Sequence, residues 1–213
     1  MTVLYYIHDP MCSWCWAFRQ VWGEVQQRLP ESVSVTYLLG GLAPDSDAPM
    51  SENTRQEIQR HWKTIQQRVP GTRFNFDFWQ VCTPRRSTYP ACRAVLAAKK
   101  QNPSLEDAMI QVIQEAYYFQ ARNPSDDDVL IELATNLGLN AEKFHRDLNA
   151  PETHVQLDDE IHLSQSIGVR SFPGLILKKE GDLQIIRIDY SDAEMILQQI
   201  RWFESSDTPA IDY

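Results

Sequence analysis

The sequence predicts an α/β fold in which a βαβ unit and a ββα unit flank an all-helical block. Three observations carry this. The chain starts with a strand–helix–strand pattern in under 40 residues. From residue 51 to about 166, apolar residues recur almost entirely at helical spacing. After Gly168 strand patterns return, ahead of one last amphipathic helix.

The first strand is Leu4-Tyr5-Tyr6-Ile7-His8, a short apolar run rich in aromatic and branched residues. Residues 12–29 then switch to helical spacing, with Phe18, Val21, Trp22, Val25 and Leu29 on one face. Pro30 stops this helix. Val33, Val35, Tyr37 and Leu39 alternate with polar Ser34 and Thr36, a second strand that Gly40-Gly41 ends. A crossover helix between two strands implies that they run parallel.

The helical block carries a series of apolar stripes. Ile58, Trp62, Ile65 and Val69 form the first; Ala91, Val95 and Ala98 the second; Leu105, Met109, Val112, Ala116 and Phe119 the third. Ser125 and Asp128 have the spacing of a capping box, ahead of Val129, Leu130, Leu133 and Leu137, and Gly138 suits a helix end. Short helices over 142–148 and 151–166 follow, the latter opening on Pro151. Residues 175–177 and 183–188 read as strands joined by Glu180-Gly181-Asp182, an antiparallel hairpin. Ala193, Ile196, Leu197, Ile200 and Phe203 make the last helix.

Without the block, the order βαβ-ββα is that of a thioredoxin fold, so the block reads as an inserted all-helical domain. Residues 1–45 and 168–204 are then the two halves of the thioredoxin-fold domain, 46–167 the insertion and 205–213 a flexible tail. The polar, proline-flanked loop 43–49 suits the junction.

Of the 213 residues 43% are apolar, enough for a sizeable core, and the formal net charge is −9. That balance disfavours nucleic acid, which needs clustered Lys and Arg, and anionic membranes. There is no apolar membrane span, and the N-terminus lacks a basic start and cleavage site, so a cytoplasmic location is expected. The sequence sets no oligomeric state and no redox direction.

Function is concentrated in Asp9-Pro10-Met11-Cys12-Ser13-Trp14-Cys15-Trp16. Cys12 follows the first strand and opens the first helix, where unpaired N–H groups and the helix dipole favour a thiolate. Cys15 is one turn on, on the inward side with Phe18 and Trp22, close enough for a disulfide to close. Cys12 is therefore expected to be the exposed attacking thiol and Cys15 the buried resolving one. A zinc site would need a second ligand pair; Cys82 and Cys92 are spaced C-x9-C, and no paired histidines accompany them. A structural disulfide between helix neighbours closes too small a loop to stabilise the fold. A redox pair is the stronger reading.

The octapeptide resembles the active site of the DsbA-like thioredoxin-fold family, in particular the branch of predicted protein-disulfide isomerases, which is similar to FrnE-type proteins. The order of elements fits that family over nearly the full length. A second landmark is Gly168-Val169-Arg170-Ser171-Phe172-Pro173. The resemblance implies that Pro173 is a cis-proline beside the cysteines and that the Phe172 backbone pairs with an extended substrate. It also implies an apolar rim of Met11, Trp14, Trp16 and Phe172 around Ser13, although Trp16 and Phe172 also read as core, Trp16 equally well.

Two departures stand out. Strongly oxidising members of the family have His before the second cysteine, where this chain has Trp14, so a less oxidising couple is expected. Thioredoxin-like proteins often carry a buried acid six residues before the first cysteine, where this chain has Tyr6. Asp9 is either a substitute acid or the organiser of the turn. Tyr89 and Pro90 are candidate groove residues by the same resemblance. Cys92 is either a buried, inert thiol or, with Cys82, a second redox pair.

The implied activity is thiol–disulfide exchange on a protein or peptide substrate. It needs no bound cofactor and no metal, with glutathione or a thioredoxin system as electron partner. Two alternatives remain open. Kappa-type glutathione transferases and 2-hydroxychromene-2-carboxylate isomerases share the inserted-helix architecture, though they have Ser at the place of Cys12. A chaperone-like module would hold peptides in the groove without turnover.

Overall fold

The computed structural model describes residues 2–205; the tail expected beyond the last helix lies, from residue 206 on, outside the described residues. Its sheet has four strands in the order β2-β1-β3-β4. β1 (Thr2–His8) pairs in parallel with β2 (Val33–Leu39), from Thr2 opposite Val33 to His8 opposite Leu39. The parallel pairing requires a crossover, which α1 (Ser13–Arg28) supplies.

On its other side β1 pairs antiparallel with β3 (Gly174–Lys179), which turns into β4 (Asp182–Ile186). Glu180 and Gly181, with φ of 55° and 106°, form the two-residue turn whose twist suits a tight hairpin. β4 ends two residues earlier than its apolar pattern suggests. Both backbone groups of Arg187 are taken by the Gln199 side chain instead, at 2.8 and 3.0 Å.

One sheet face is covered by α1 and α9 (Ala193–Ser205), around Leu4, Tyr6, Phe18, Trp22, Leu177 and Ile200. The opposite face gathers Ile7, Leu38 and Ile176 under Val169 and Phe172. Between β2 and β3 lie α2 (Glu52–Arg68), α3 (Phe78–Val81), α4 (Tyr89–Gln101), a 3-10 turn (Pro103–Leu105), α5 (Glu106–Tyr118), α6 (Asp127–Asn136), α7 (Ala141–Leu148) and α8 (Pro151–Ser166). α4 is their axis: every residue from Pro90 to Ala98 is buried. A helix apolar on all sides belongs at the centre of a bundle. The one charge in this buried stretch from Pro90 to Ala98, Arg93, is satisfied by both carboxylate oxygens of Asp45, at 2.8 and 3.1 Å, and by the Leu148 carbonyl.

The capping box expected at Ser125 does not form. α6 is N-capped at Asp126 without a side-chain hydrogen bond. The Ser125 hydroxyl is buried and donates to the Ser87 carbonyl at 2.6 Å, an interior acceptor. The helical core also reaches across the expected domain boundary. Met11, Ala17 and Leu39 belong to the same buried cluster as Trp62, Val95 and Ile113. The block therefore packs directly beneath the N-terminus of α1. No helix among the described residues is long and apolar enough to cross a membrane.

Candidate active site

The turn between β1 and α1 is built around Asp9, which is fully buried. Its carbonyl accepts the Cys12 N–H at 2.9 Å and its carboxylate accepts the Met11 N–H at 2.7 Å. The other carboxylate oxygen accepts the Leu42 N–H at 2.8 Å, the Thr88 hydroxyl at 2.6 Å and the Cys92 thiol at 3.5 Å. Burial pushes the Asp9 carboxyl above the usual carboxylate range, while these donors pull it back. One side chain thus ties the turn to the end of β2 and the start of α4. Asp9→Ala leaves several buried donors unpaired and is expected to cost about 3 kcal/mol in urea unfolding. A loss below about 1 kcal/mol would contradict that role.

Cys12 caps α1. Its Sγ accepts the Cys15 N–H at 3.4 Å and its thiol donates to the Phe172 carbonyl at 3.6 Å. Both cysteines are free thiols. The expected contrast in exposure is small: Cys12 retains 5% and Cys15 none. Cys12 is not the open thiol expected from sequence, because the Phe172 carbonyl from the β3 approach lies over it. Burial, and then the neighbouring Cys12, push the Cys15 thiol well above its ordinary range.

Facing them, the Phe172–Pro173 peptide bond is cis. The Phe172 ring does not stand on a rim. It packs against Gly40, where an added Cβ would come within 2.0 Å of a ring carbon. This close approach is why glycine follows β2 there. The ring joins the cluster on the second face of the sheet, leaving the backbone carbonyl turned to Cys12.

The remaining candidates divide between the two halves. Trp14 is half-buried and meets the Tyr190 ring edge-on at 5.2 Å. Trp16 stacks on Tyr118 of α5 at 5.5 Å, and its indole N–H donates to the Arg73 carbonyl at 2.9 Å. Ser13 accepts the Trp62 indole N–H at 3.0 Å. Met11 lies in the core and not on the rim. Its side chain fills the joint between turn and block, with the Ser125 hydroxyl 4.0 Å from its sulfur.

Tyr89 packs over Gly41 at the start of α4, beside Ile161, and Pro90 is buried in the helix below it. Cys82 and Cys92 do not meet: the Cys82 thiol donates to the Ala121 carbonyl at 3.1 Å, while Cys92 turns to Asp9. Among the described residues, no three His, Cys, Asp or Glu side chains converge on a metal position.

A cleft of about 1050 Å³ opens between α1 and the block and reaches Cys15, with Tyr6, Trp16, Tyr37 and Gln114 on its walls. Thr88, Gly40, Trp62, Tyr118 and Tyr190 all support the site without having been picked out for it in the sequence. Gly40 carried a signal, as one of two consecutive glycines after a strand. The others are ordinary helix and loop residues until the chain is folded.

The family model described as thioredoxin matches residues 5–194. Among solved structures, the chain is similar to a Nitrosomonas europaea protein provisionally assigned as a protein disulfide isomerase. The identity is 26% and the TM-score 0.84, with 97% of this chain and 99% of that one covered. It is also similar to the cytosolic disulfide reductase DsbM from Pseudomonas aeruginosa, at 27% identity and a TM-score of 0.73, covering 94% of each. The same reductase solved with GSH has a TM-score of 0.70 at 26% identity, covering 94% of this chain and 95% of that one. The ClpXP adapter protein SpxH of Halalkalibacterium halodurans is 22% identical over 177 residues, 81% of this chain and 57% of that protein. The chain spans little more than half the length of the curated relatives it matches. With a match running through both halves of the fold and the block between them, the chain belongs to the thioredoxin family.

Proposed function

We propose that the protein is a thiol–disulfide oxidoreductase, with Cys12 as nucleophile and Cys15 as resolving thiol. The observation that carries this is the placement of Cys12 Sγ: it caps α1, accepts the Cys15 N–H and faces the Phe172 carbonyl beside cis-Pro173. The helix N-terminus stabilises a thiolate at that position.

In the reductive direction, the Cys12 thiolate attacks one sulfur of a substrate disulfide, and the other sulfur leaves as a thiolate. Cys15 then loses its proton and attacks Cys12 Sγ. The second substrate thiol is released, and two electrons have passed from the dithiol to the substrate. Two glutathione thiols, or a thioredoxin system, return the pair to the dithiol. Burial favours the protonated Cys15 thiol, so its proton must leave as it attacks Cys12 Sγ. An extended protein or peptide substrate would lie along the Phe172 backbone, with Trp14 beside it. A cytoplasmic setting suits this direction, as does the likeness to a cytosolic disulfide reductase.

The test is Cys15→Ser. In oxidised glutathione or with a disulfide-linked peptide, it should accumulate a stoichiometric adduct on Cys12, read by peptide mass. An adduct on Cys82 or Cys92 instead, or none, would refute the assignment.

A second reading rests on the similarity to the ClpXP adapter SpxH. The chain would then hold a protein partner without turning it over. Partner binding that persists in a Cys12→Ser/Cys15→Ser variant, with no exchange activity in the wild type, would favour it.

A further inference from the structure

We propose that the open edge of β4 is a self-association surface: a second copy of this chain pairs antiparallel along it about a two-fold axis, with Leu183 of each copy opposite Ile185 of the other. The two four-stranded sheets then join into one of eight strands.

The sheet has two edges, and they are treated differently. β2 has α8 packed against it, and Glu160 accepts the Leu39 N–H there at 2.9 Å. β4 carries none of the usual guards of a free edge. Residues 183–186, Leu-Gln-Ile-Ile, include no charge and no proline, and the register with β3 runs without a bulge. Large apolar side chains gather at this edge instead. Leu183 is 46% exposed, Ile185 66% and Trp202 67%. Met195, seven residues before Trp202 on the same face of α9, is exposed as well.

The hairpin determines which backbone groups face outward. Its two-residue turn makes Lys179 and Asp182 the closing hydrogen-bonded pair, and Leu177–Gln184 and Leu175–Ile186 follow in alternation. The N–H and C=O groups of Leu183 and Ile185 therefore point away from β3. The Ile185 carbonyl accepts the Gln184 side-chain amide at 2.9 Å, which leaves its second lone pair for another donor. Arg187 would be next, but Gln199 holds both of its backbone groups.

Those groups select the register. A two-fold axis perpendicular to the sheet keeps every residue on its own face, so only residues an even number apart can meet. Centred on Gln184, the axis sets Leu183 against Ile185 twice. All four outward N–H groups then find outward carbonyls, and the four side chains form one apolar patch. Gly181 comes opposite Arg187, and its lack of a side chain leaves room for the Gln199 cap. Centring on Ile185 would set Leu183 against Arg187, whose groups are taken. Centring on Leu183 would set Ile185 against Gly181 and lose half of the apolar contact.

Both faces of the joint are covered in this register. Leu183 and Ile185 share the face of Ile176, while Gln184 lies opposite Leu177 on the face of α9. There Gln184, Gln198, Gln199 and Trp202 wall a shallow hollow of about 370 Å³. With Gln184 on the axis, the two hollows adjoin, and each Trp202 faces that of the other copy. The cysteine pair lies at the start of α1 and Phe172–Pro173 before β3, so neither takes part in the joint.

The test is sedimentation equilibrium of the full chain, kept reduced so that its four free cysteines form no cross-link. A monomer–dimer equilibrium with a dissociation constant of about 10 µM is expected, as suits a small interface. Ile185→Lys sets a charge against Leu183 of the other copy and should raise the constant tenfold or more. The side chain is exposed in the single chain, so the fold should be unaffected. Val155→Lys, an exposed apolar position on α8, should change the constant less than twofold. Gln184→Cys places two sulfurs across the axis, where opposed Cα atoms are about 4.5 Å apart, and mild oxidation should link them, read by peptide mass. A wild type still monomeric at about twentyfold the expected constant would overturn the proposal. So would a dimer that Ile185→Lys leaves intact, a dimer with no link through position 184, or a monomer whose edge takes up an extended peptide instead.

Discussion

Cys12→Ser is expected to reduce disulfide exchange to the uncatalysed background, a loss of about 10³-fold or more. A hydroxyl forms no mixed disulfide, so the first covalent step disappears. Cys15 is a poor substitute, because it has no exposed surface and burial keeps its thiol protonated. The fold should persist, since serine is at least as good a helix N-cap as cysteine and the Cys15 N–H keeps an acceptor. Insulin reduction with glutathione, or recovery of scrambled ribonuclease, gives the rate. Cys82→Ser serves as the control and should keep the wild-type rate within about twofold, since its thiol points to the Ala121 carbonyl. Retention of a tenth or more of the rate in Cys12→Ser would sink the dithiol mechanism.

The cysteine pair was legible because the signal is local: strand, two cysteines one turn apart, and an amphipathic helix, all within 30 residues. The long elements were legible for the same reason. Alternation and the Gly40-Gly41 stop place β2 at Val33–Leu39, and Pro151 as a first helical residue opens α8, Pro151–Ser166. What periodicity does not carry is the partner of a polar group. Ser125 looked like a cap, but its hydroxyl is drawn to a carbonyl 38 residues away. Strand β4 stops where a helix glutamine intercepts the backbone of Arg187.

The misplaced rim has a similar origin. Met11 and Phe172 are apolar residues next to the chemistry, which reads as a substrate surface. Met11 is instead the point where the block docks on the turn, and Phe172 closes over Gly40. Both depend on contacts between segments far apart in sequence. The same holds for the Asp9–Thr88 bond, 79 residues apart, which anchors the turn that presents Cys12.

His8 is expected to make the fold acid-labile. It ends β1 with no exposed surface, and neither ring nitrogen has a hydrogen-bond partner. Its ring stacks on Tyr6 at 5.2 Å and meets Tyr37 edge-on at 5.7 Å. Burial, with a smaller contribution from the Lys99 charge, pushes its pKa from 6.5 down to about 3. The unfolded chain therefore takes up a proton near pH 6.5 that the folded chain refuses until about pH 3. Stability is fully present above pH 6.5 and is lost progressively down to about 3, by roughly 5 kcal/mol. That is a large part of the stability of an ordinary domain.

The carboxyls of buried Asp9 and half-buried Glu160 act in the opposite sense. Burial raises both, so the folded state holds their protons more tightly and gains stability as pH falls. The His8 contribution must therefore be isolated as a difference between wild type and His8→Leu, which is close in volume. At pH 7.5 the variant should match or exceed the wild type, because two unpaired buried nitrogens are removed. From pH 6.5 to 4 the gap should widen steadily in its favour in urea unfolding. Parallel stability curves for the two proteins over that range would show that His8 finds a proton-accepting partner in the folded state.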